Sequence, residues 1–261
     1  MTHPAYVQCD EAALGALVRD HPLASIVTCS EDRMWCTHAP LLITSLDDQD
    51  QTWVIQGHLS RANPHVDAIL REGGCVQALL IFRGPQGYVS ANYFPEKAKT
   101  HRVVPTWDYT TVECRGTLRL VDDPSWTLDL VSRLSATEEQ HNRERHSPAL
   151  PAWSVDEAPR DYIASQVRRV VGIEVRVAER FGRFKLSQAN AGEAAGAAAG
   201  VYDRGDTALG DAIVSAAGLP PCPLRHHHGD WLTAQPWLAI AGFSAVVGFM
   251  VVWLRASKLR G

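Results

Sequence analysis

Two stretches of the chain carry residues suited to holding an anion. In "GHLSRANP" (Gly57–Pro64), His58, Ser60, Arg61 and Asn63 fall where an apolar strand pattern runs into a helix start. A helix N-terminus carries partial positive charge and free N–H groups. A neighbouring arginine adds a fork that matches phosphate. The plainer reading is that Asn63 only caps the helix and Arg61 is a surface charge. In "FGRFKLSQAN" (Phe181–Asn190), an extended backbone would place Arg183, Lys185 and Ser187 on one face and Phe184, Leu186 and Gln188 on the other. A cation and a hydroxyl on one face suit a phosphate, and a solvated strand edge explains them equally.

A third stretch, "PTWDY" (Pro105–Tyr109), opens an alternating run with Thr106, Trp107, Asp108 and Tyr109. Such a start is either a packed corner or a floor for a flat, partly polar group. His38, His58 and the run His226–His228 make axial ligation of a haem conceivable, with a solvated linker as the alternative for the run. No residue stands out as a general acid or base.

These residues need elements to position them. "SIVTCS" (Ser25–Ser30), "MWCTHAPLLIT" (Met34–Thr44), "TWVIQGHLS" (Thr52–Ser60), "CVQALLIF" (Cys75–Phe82), "GYVSANYF" (Gly87–Phe94), "YTTVECRGTLRLV" (Tyr109–Val121) and "GIEVRVAERF" (Gly172–Phe181) read as strands. Gly84, Pro85 and Gly87 predict a tight turn between two of them. Helices are expected over Asp10–His21, over Asn63–Gly73, from Asp123 onward with Trp126, Leu130 and Leu134 in step, and over Arg160–Val171. "ANAGEAAGAAAGVYDRG" is expected to be helical in part, weakened by its glycines. Strands at short spacing predict an α+β fold: an antiparallel barrel with helices at its flanks.

Composition narrows the function. The net charge is −4, which lacks the basic excess of a nucleic-acid-binding surface. Direct DNA binding therefore fits poorly. Six cysteines form no CxxC pair, and no secretory signal opens the chain, so the thiols are expected to be reduced and intracellular.

The C-terminus reads differently. After a Pro- and His-rich linker over 218–236, "WLAIAGFSAVVGFMVVWL" (Trp237–Leu254) holds no charge, and a basic tail follows over 255–261. About 18 apolar residues reach the lower limit for crossing a bilayer, and Trp237 and Trp253 would sit at its interfaces. The expectation is a single-pass membrane protein with its large N-terminal domain, residues 1–217, in the cytoplasm.

The motifs "HPLASIVTCS", "THAPLLI", "GHLSRANP", "IFRGPQGYVSANYF", "VPTWDY" and "RFKLSQAN" occur in this order. Together they resemble the PaiB family of FMN-binding negative transcriptional regulators, whose typical forms read THLPL, GHxARANPQ, FxGPxAYISPSWY, VPTWNY and GKFKLSQN. Asp108 stands where that form has Asn, and Ala189 interrupts its SQN. The resemblance implies a split β-barrel like that of pyridoxamine phosphate oxidase, with FMN at a homodimer interface. It implies Arg61, Lys185 and Ser187 for the phosphate, Thr106, Trp107 and Gln188 for the ring, and Asn63 as a further cofactor-binding residue. His38 and His58 would be further polar wall residues. A flavin-dependent oxidoreductase and a haem-binding barrel protein are the alternatives, and an absorption spectrum separates them.

Overall fold

The computed structural model describes residues 6–30, 32–46, 52–145 and 151–220. The fold is α+β, with one antiparallel sheet and flanking helices. The described residues divide into two compact units. The first holds the chain up to Tyr88 together with Trp107–Leu186, and the second holds Val89–Thr106 and the chain from Ser187 onward.

The first unit carries β1 (Val7–Gln8), α1 (Glu11–Asp20), β2 (Leu23–Ser30), β3 (Arg33–Pro40), β4 (Leu42–Leu46), β5 (Trp53–Ser60) and α2 (Pro64–Arg71). It also carries most of β6 (Cys75–Val89) and β7 (Thr106–Val121), then α4 (Pro124–Arg145), α5 (Arg160–Val167) and β8 (Val170–Lys185). The sheet order is β3-β2-β6-β7-β8-β5-β4, and β1 adds to β8. The β4–β5 register sets Leu42 against Gln56. Carried back through Leu41, it would set Pro40 against His58 and His38 against Ser60, but β3 leaves the ladder there. The strands still meet: a Cβ on Gly57 would overlap Leu41 and stand 3.1 Å from the Pro40 carbonyl. The sheet thus curls toward closure and stays open between β3 and β5, consistent with a split barrel.

Alternation decides which side chains face inward. Ala24 and Ile26 of β2, Ile55 and Leu59 of β5, Leu80 and Phe82 of β6, Val112 and Leu118 of β7, and Ile173 and Val175 of β8 form one buried core. Helix α1 adds Leu14, Leu17 and Val18 and is capped by Asp10, which accepts the Ala12 N–H at 2.9 Å. Helix α4 lies on the other face of β5 and β8. Asp123 caps it, accepting from the Ser125 and Trp126 N–H groups. A polar cluster pins it: Arg133 donates to Gln56 at 3.1 Å, Gln56 donates to Glu174 at 2.8 Å, and Arg119 donates to Glu174 at 2.9 Å.

The expected turn at Gly84–Gly87 is absent. β6 runs through it for 15 residues. Two contacts explain why. Gly84 lies so close to Thr110 that a side chain would not fit, and the Thr110 hydroxyl donates to the Pro85 carbonyl at 3.3 Å. β2 pairs with β6 only over Ala78–Ile81, so Pro85 lacks no ladder bond on that side. The run expected as one strand over Met34–Thr44 is instead broken at Leu41, where the barrel opens.

The second unit holds a 3-10 turn (Ala91–Tyr93), α3 (Glu96–Thr100), α6 (Ala191–Asp203) and α7 (Thr207–Ala216). The Ala/Gly-rich stretch is helical in part, as expected, over Ala191–Asp203. Its glycines are packing sites: a Cβ on Gly196 would strike the Tyr93 carbonyl, and one on Gly200 would strike the Tyr93 ring. Asn190 caps the helix, accepting from the Gly192 N–H at 2.9 Å. Helix α7 was not anticipated; its Leu209, Gly210, Ile213 and Val214 are buried. No helix among the described residues is long and apolar enough to cross a membrane. The expected membrane segment 237–254, the basic tail and nearly all of the linker lie outside the described residues.

A Cβ on Gly172 would overlap the Trp126 ring of α4. Gly172→Ala should therefore cost about 1–3 kcal/mol in urea unfolding through overpacking. Trp126→Ala in the same chain should cancel part of that cost, as coupled neighbours do. Additive losses would show that α4 does not rest on Gly172.

Candidate functional site

The structure separates the predicted site residues into two groups at opposite ends of β8. Ser60 pairs with Val170 at the start of that strand, and Tyr109 pairs with Lys185 at its end. A strand of 16 residues covers about 50 Å along its path. Arg61 and Lys185 therefore do not meet on one phosphate within one chain.

The first group lines the opening between β3 and β5. His38 is exposed on β3, and His58 and Ser60 lie on the non-core face of β5. The Nδ1 of His58 is buried and has no hydrogen-bond partner among the described residues. Burial lowers the pKa of His58, so its ring is held neutral. Arg61 follows, its backbone fixed by an N–H to the Arg169 carbonyl at 2.9 Å. Its guanidinium pairs with Asp122, and the two side chains are 39% and 70% exposed. That pairing raises the Arg61 pKa and lowers that of Asp122.

The start of α2 proves to be a closed turn. The Ala62 N–H donates to the Ser60 hydroxyl, the Asn63 N–H to the Ser60 carbonyl, and the His65 N–H to the Asn63 side chain. The free N–H groups expected of a helix N-terminus are thus engaged here, and the Arg61 guanidinium is the main donor left for an anion. Asn63 serves the fold on both sides of its amide, since its Nδ2 donates to Thr37 at 3.1 Å. The plainer reading of Asn63 as a cap accounts for it.

Behind Asn63 lies a buried polar hub that the sequence did not disclose. His65 is 1% exposed. Its Nε2 lies 2.7 Å from the Thr28 hydroxyl and its Nδ1 lies 2.9 Å from the Thr37 hydroxyl. The Trp35 ring stacks on it, with Arg33 over the outer face of Trp35. Ser30 of β2 donates to Glu72 beyond the C-terminal end of α2. The hub fastens α2 into the barrel mouth and so sets where Arg61 stands. A histidine among threonines in separate strands shows no motif, so only the pairing of β2 with β3 reveals it.

The second group gathers at the start of β7 and the end of β8. Trp107 is 53% exposed, whereas Asp108 has no exposure. Lys185 donates to the Trp107 carbonyl at 2.6 Å and lies 3.8 Å from Asp108. The strand ends at Lys185, and Ser187 adopts φ 56°. The extended alternation expected to put Lys185 and Ser187 on one face is therefore broken. Thr106, Ser187 and Gln188 belong to the second unit. Among the described residues no three His, Cys, Asp or Glu side chains are grouped to hold a metal.

Residues 1–179 match the family described as "Putative FMN-binding domain". Relatives include the Saccharomyces cerevisiae protein YKL070W, 35% identical over 112 residues, which are 42% of this chain and 63% of that protein. The match thus spans less than two thirds of the yeast protein's length. The Emericella nidulans protein AN0679 is 26% identical over 210 residues, 70% of this chain and 82% of that protein. Among solved structures, the flavocytochrome Anf3 from Azotobacter vinelandii is 14% identical, with a TM-score of 0.46 and 69% of each chain covered. The FAD and heme binding protein from Mycobacterium smegmatis is 12% identical, with a TM-score of 0.45 over 69% of this chain and 73% of that one. These structural likenesses are too distant to carry a ligand or a role across.

Burial lowers the pKa of His65 as it does that of His58. The unfolded chain takes up protons near pH 6.5, while the folded chain resists until lower pH. Stability should therefore fall as pH drops below about 6.5, and level off below the folded pKa values. Urea midpoints from pH 8 to 5 should show this slope, and His65→Gln should flatten it. An unchanged slope in His65→Gln would mean that His65 is not held neutral.

Proposed function

The chain belongs to the FMN-binding domain family, and from that premise we propose that it holds FMN between two copies of itself. In this reading the opening between β3 and β5 of one copy takes the phosphate and Trp107 of the other copy floors the ring. The observation that carries it is the separation of the two groups along β8, which leaves each group half of a site.

The residues present fit the cofactor. Arg61 offers a partly exposed guanidinium for the phosphate, with Ser60 beside it. His58 brings a buried nitrogen that lacks a partner among the described residues. Trp107 offers an exposed aromatic face. Lys185 positions that face through the Trp107 carbonyl. Bound FMN supplies redox chemistry that no side chain offers, while the protein supplies placement and shields the ring from water. A regulatory role of the PaiB kind would then work through cofactor occupancy, since the net charge of −4 gives no footprint for DNA.

The test is complementation between two damaged sites. Arg61→Gln should weaken FMN binding about ten- to a hundredfold, the loss of one charge-assisted contact. Trp107→Ala should weaken it through the ring. When the two variants are mixed and allowed to exchange subunits, mixed dimers regain one intact site, so tight FMN binding should return. Sedimentation should show FMN strengthening the dimer, by linkage. No recovery on mixing, or a monomer that binds FMN tightly, would overturn the shared site.

We further propose that residues 237–254 anchor the chain, leaving the flavin domain in the cytoplasm. An uncharged run of this length flanked by Trp supports it, and the free thiols among the described residues suit a reducing compartment. The basic tail argues for the opposite orientation, but its few charges are a smaller demand than moving a folded domain across. Cell fractionation should find the full chain in the membrane pellet until detergent is added. Recovery in the soluble fraction would rule the anchor out.

A further inference from the structure

We propose that Asp122 is a built-in competitor for the Arg61 guanidinium, occupying the anion position until a phosphate displaces it. It would thereby set how strongly this chain prefers FMN over riboflavin. The inference rests on the reading of Arg61 given above.

The two residues come from separate turns, one between β5 and α2, the other between β7 and α4. Both backbones are fixed. Arg61 is tied by its N–H to the Arg169 carbonyl. Asp122 lies between Val121, which is paired with Gly172, and Asp123, the cap of α4. Only the side chains are left to move, and both are substantially exposed, at 39% and 70%. The adjacent carboxylates divide the work. Asp123 accepts from two backbone N–H groups and the Ser125 hydroxyl, so it serves the helix. Asp122 has Arg61 as its only hydrogen-bond or ion-pair partner among the described residues.

A carboxylate meets a guanidinium through the same fork that a phosphate uses. The Asp122 carboxylate therefore occupies the position that the ligand's anion would take on Arg61. An exposed ion pair of this kind is weak, so a dianionic phosphate can displace it. Riboflavin has no phosphate and leaves the pair closed. The FMN-to-riboflavin preference is then reduced by whatever the pair is worth.

The experiment compares FMN and riboflavin titrations of the full chain with Asp122→Asn, Arg61→Gln and the double variant, at low and high salt. Asp122→Asn should tighten FMN about two- to fivefold at low salt and leave riboflavin unchanged. In the Arg61→Gln background the same substitution should have no effect. Weaker FMN binding in Asp122→Asn would show that Asp122 positions Arg61 and would overturn the competitor. Tightening that persists without Arg61 would show direct repulsion instead, and would overturn it too. If Arg61→Gln binds FMN as wild type does, the reading of Arg61 fails, and the inference falls with it.

Discussion

A long strand cannot fold back on itself, and β8 organises this molecule for that reason. Its first half pairs with β5, β7 follows it along nearly its whole length, and β1 joins near its end. One bulge, at Arg115 and Gly116, lets it bend without breaking. Gly116 is needed there because a Cβ would strike the Arg176 carbonyl. Whatever is attached at the two ends of β8 stays apart. The opening with Arg61 is at one end and Trp107 with Lys185 is at the other. In the proposed dimer, a second chain meeting the first end for end brings the two groups together.

The opening depends on polar groups that are buried and matched. The imidazole of His65 sits between two threonine hydroxyls, with Asn63 bound to one of them. A buried hydrogen-bonding group without partners is costly, so this set holds together only as a whole. It ties β2, β3 and α2 at the place where β3 and β5 do not hydrogen-bond. The cluster of Gln56, Glu174, Arg133 and Arg119 does the same for α4 on the opposite side of β5 and β8. The open seam is thus braced from both faces without being closed.

Much of this was readable in the sequence where local rules decide. Asp10, Asn63 and Asp123 announced helix starts, and alternation in Gly172–Phe181 announced a strand. The failures came where a neighbour decides. Gly84 and Pro85 looked like a turn, and Thr110, distant in sequence, keeps them extended. Gly196 and Gly200 read only as residues that weaken a helix, and Tyr93 explains why glycine is required there. Asp122 had no signal at all, because an aspartate before a helix cap looks like part of the cap. Arg61 was legible as a cation at a strand end, but its partner comes from another turn 61 residues along the chain.

The same logic divides the two cations that the sequence offers for a phosphate. Lys185 lies beside Asp108, which has no solvent exposure, and donates to the Trp107 carbonyl. Removing a buried carboxylate from its counter-ion is costly, so Lys185 is committed to the fold. Arg61 faces an exposed carboxylate, a partner that can be exchanged at little cost. Both cations have an aspartate, and burial alone makes one pair permanent and the other replaceable. In the proposed site the phosphate is therefore assigned to Arg61, and Lys185 to holding Trp107 in place.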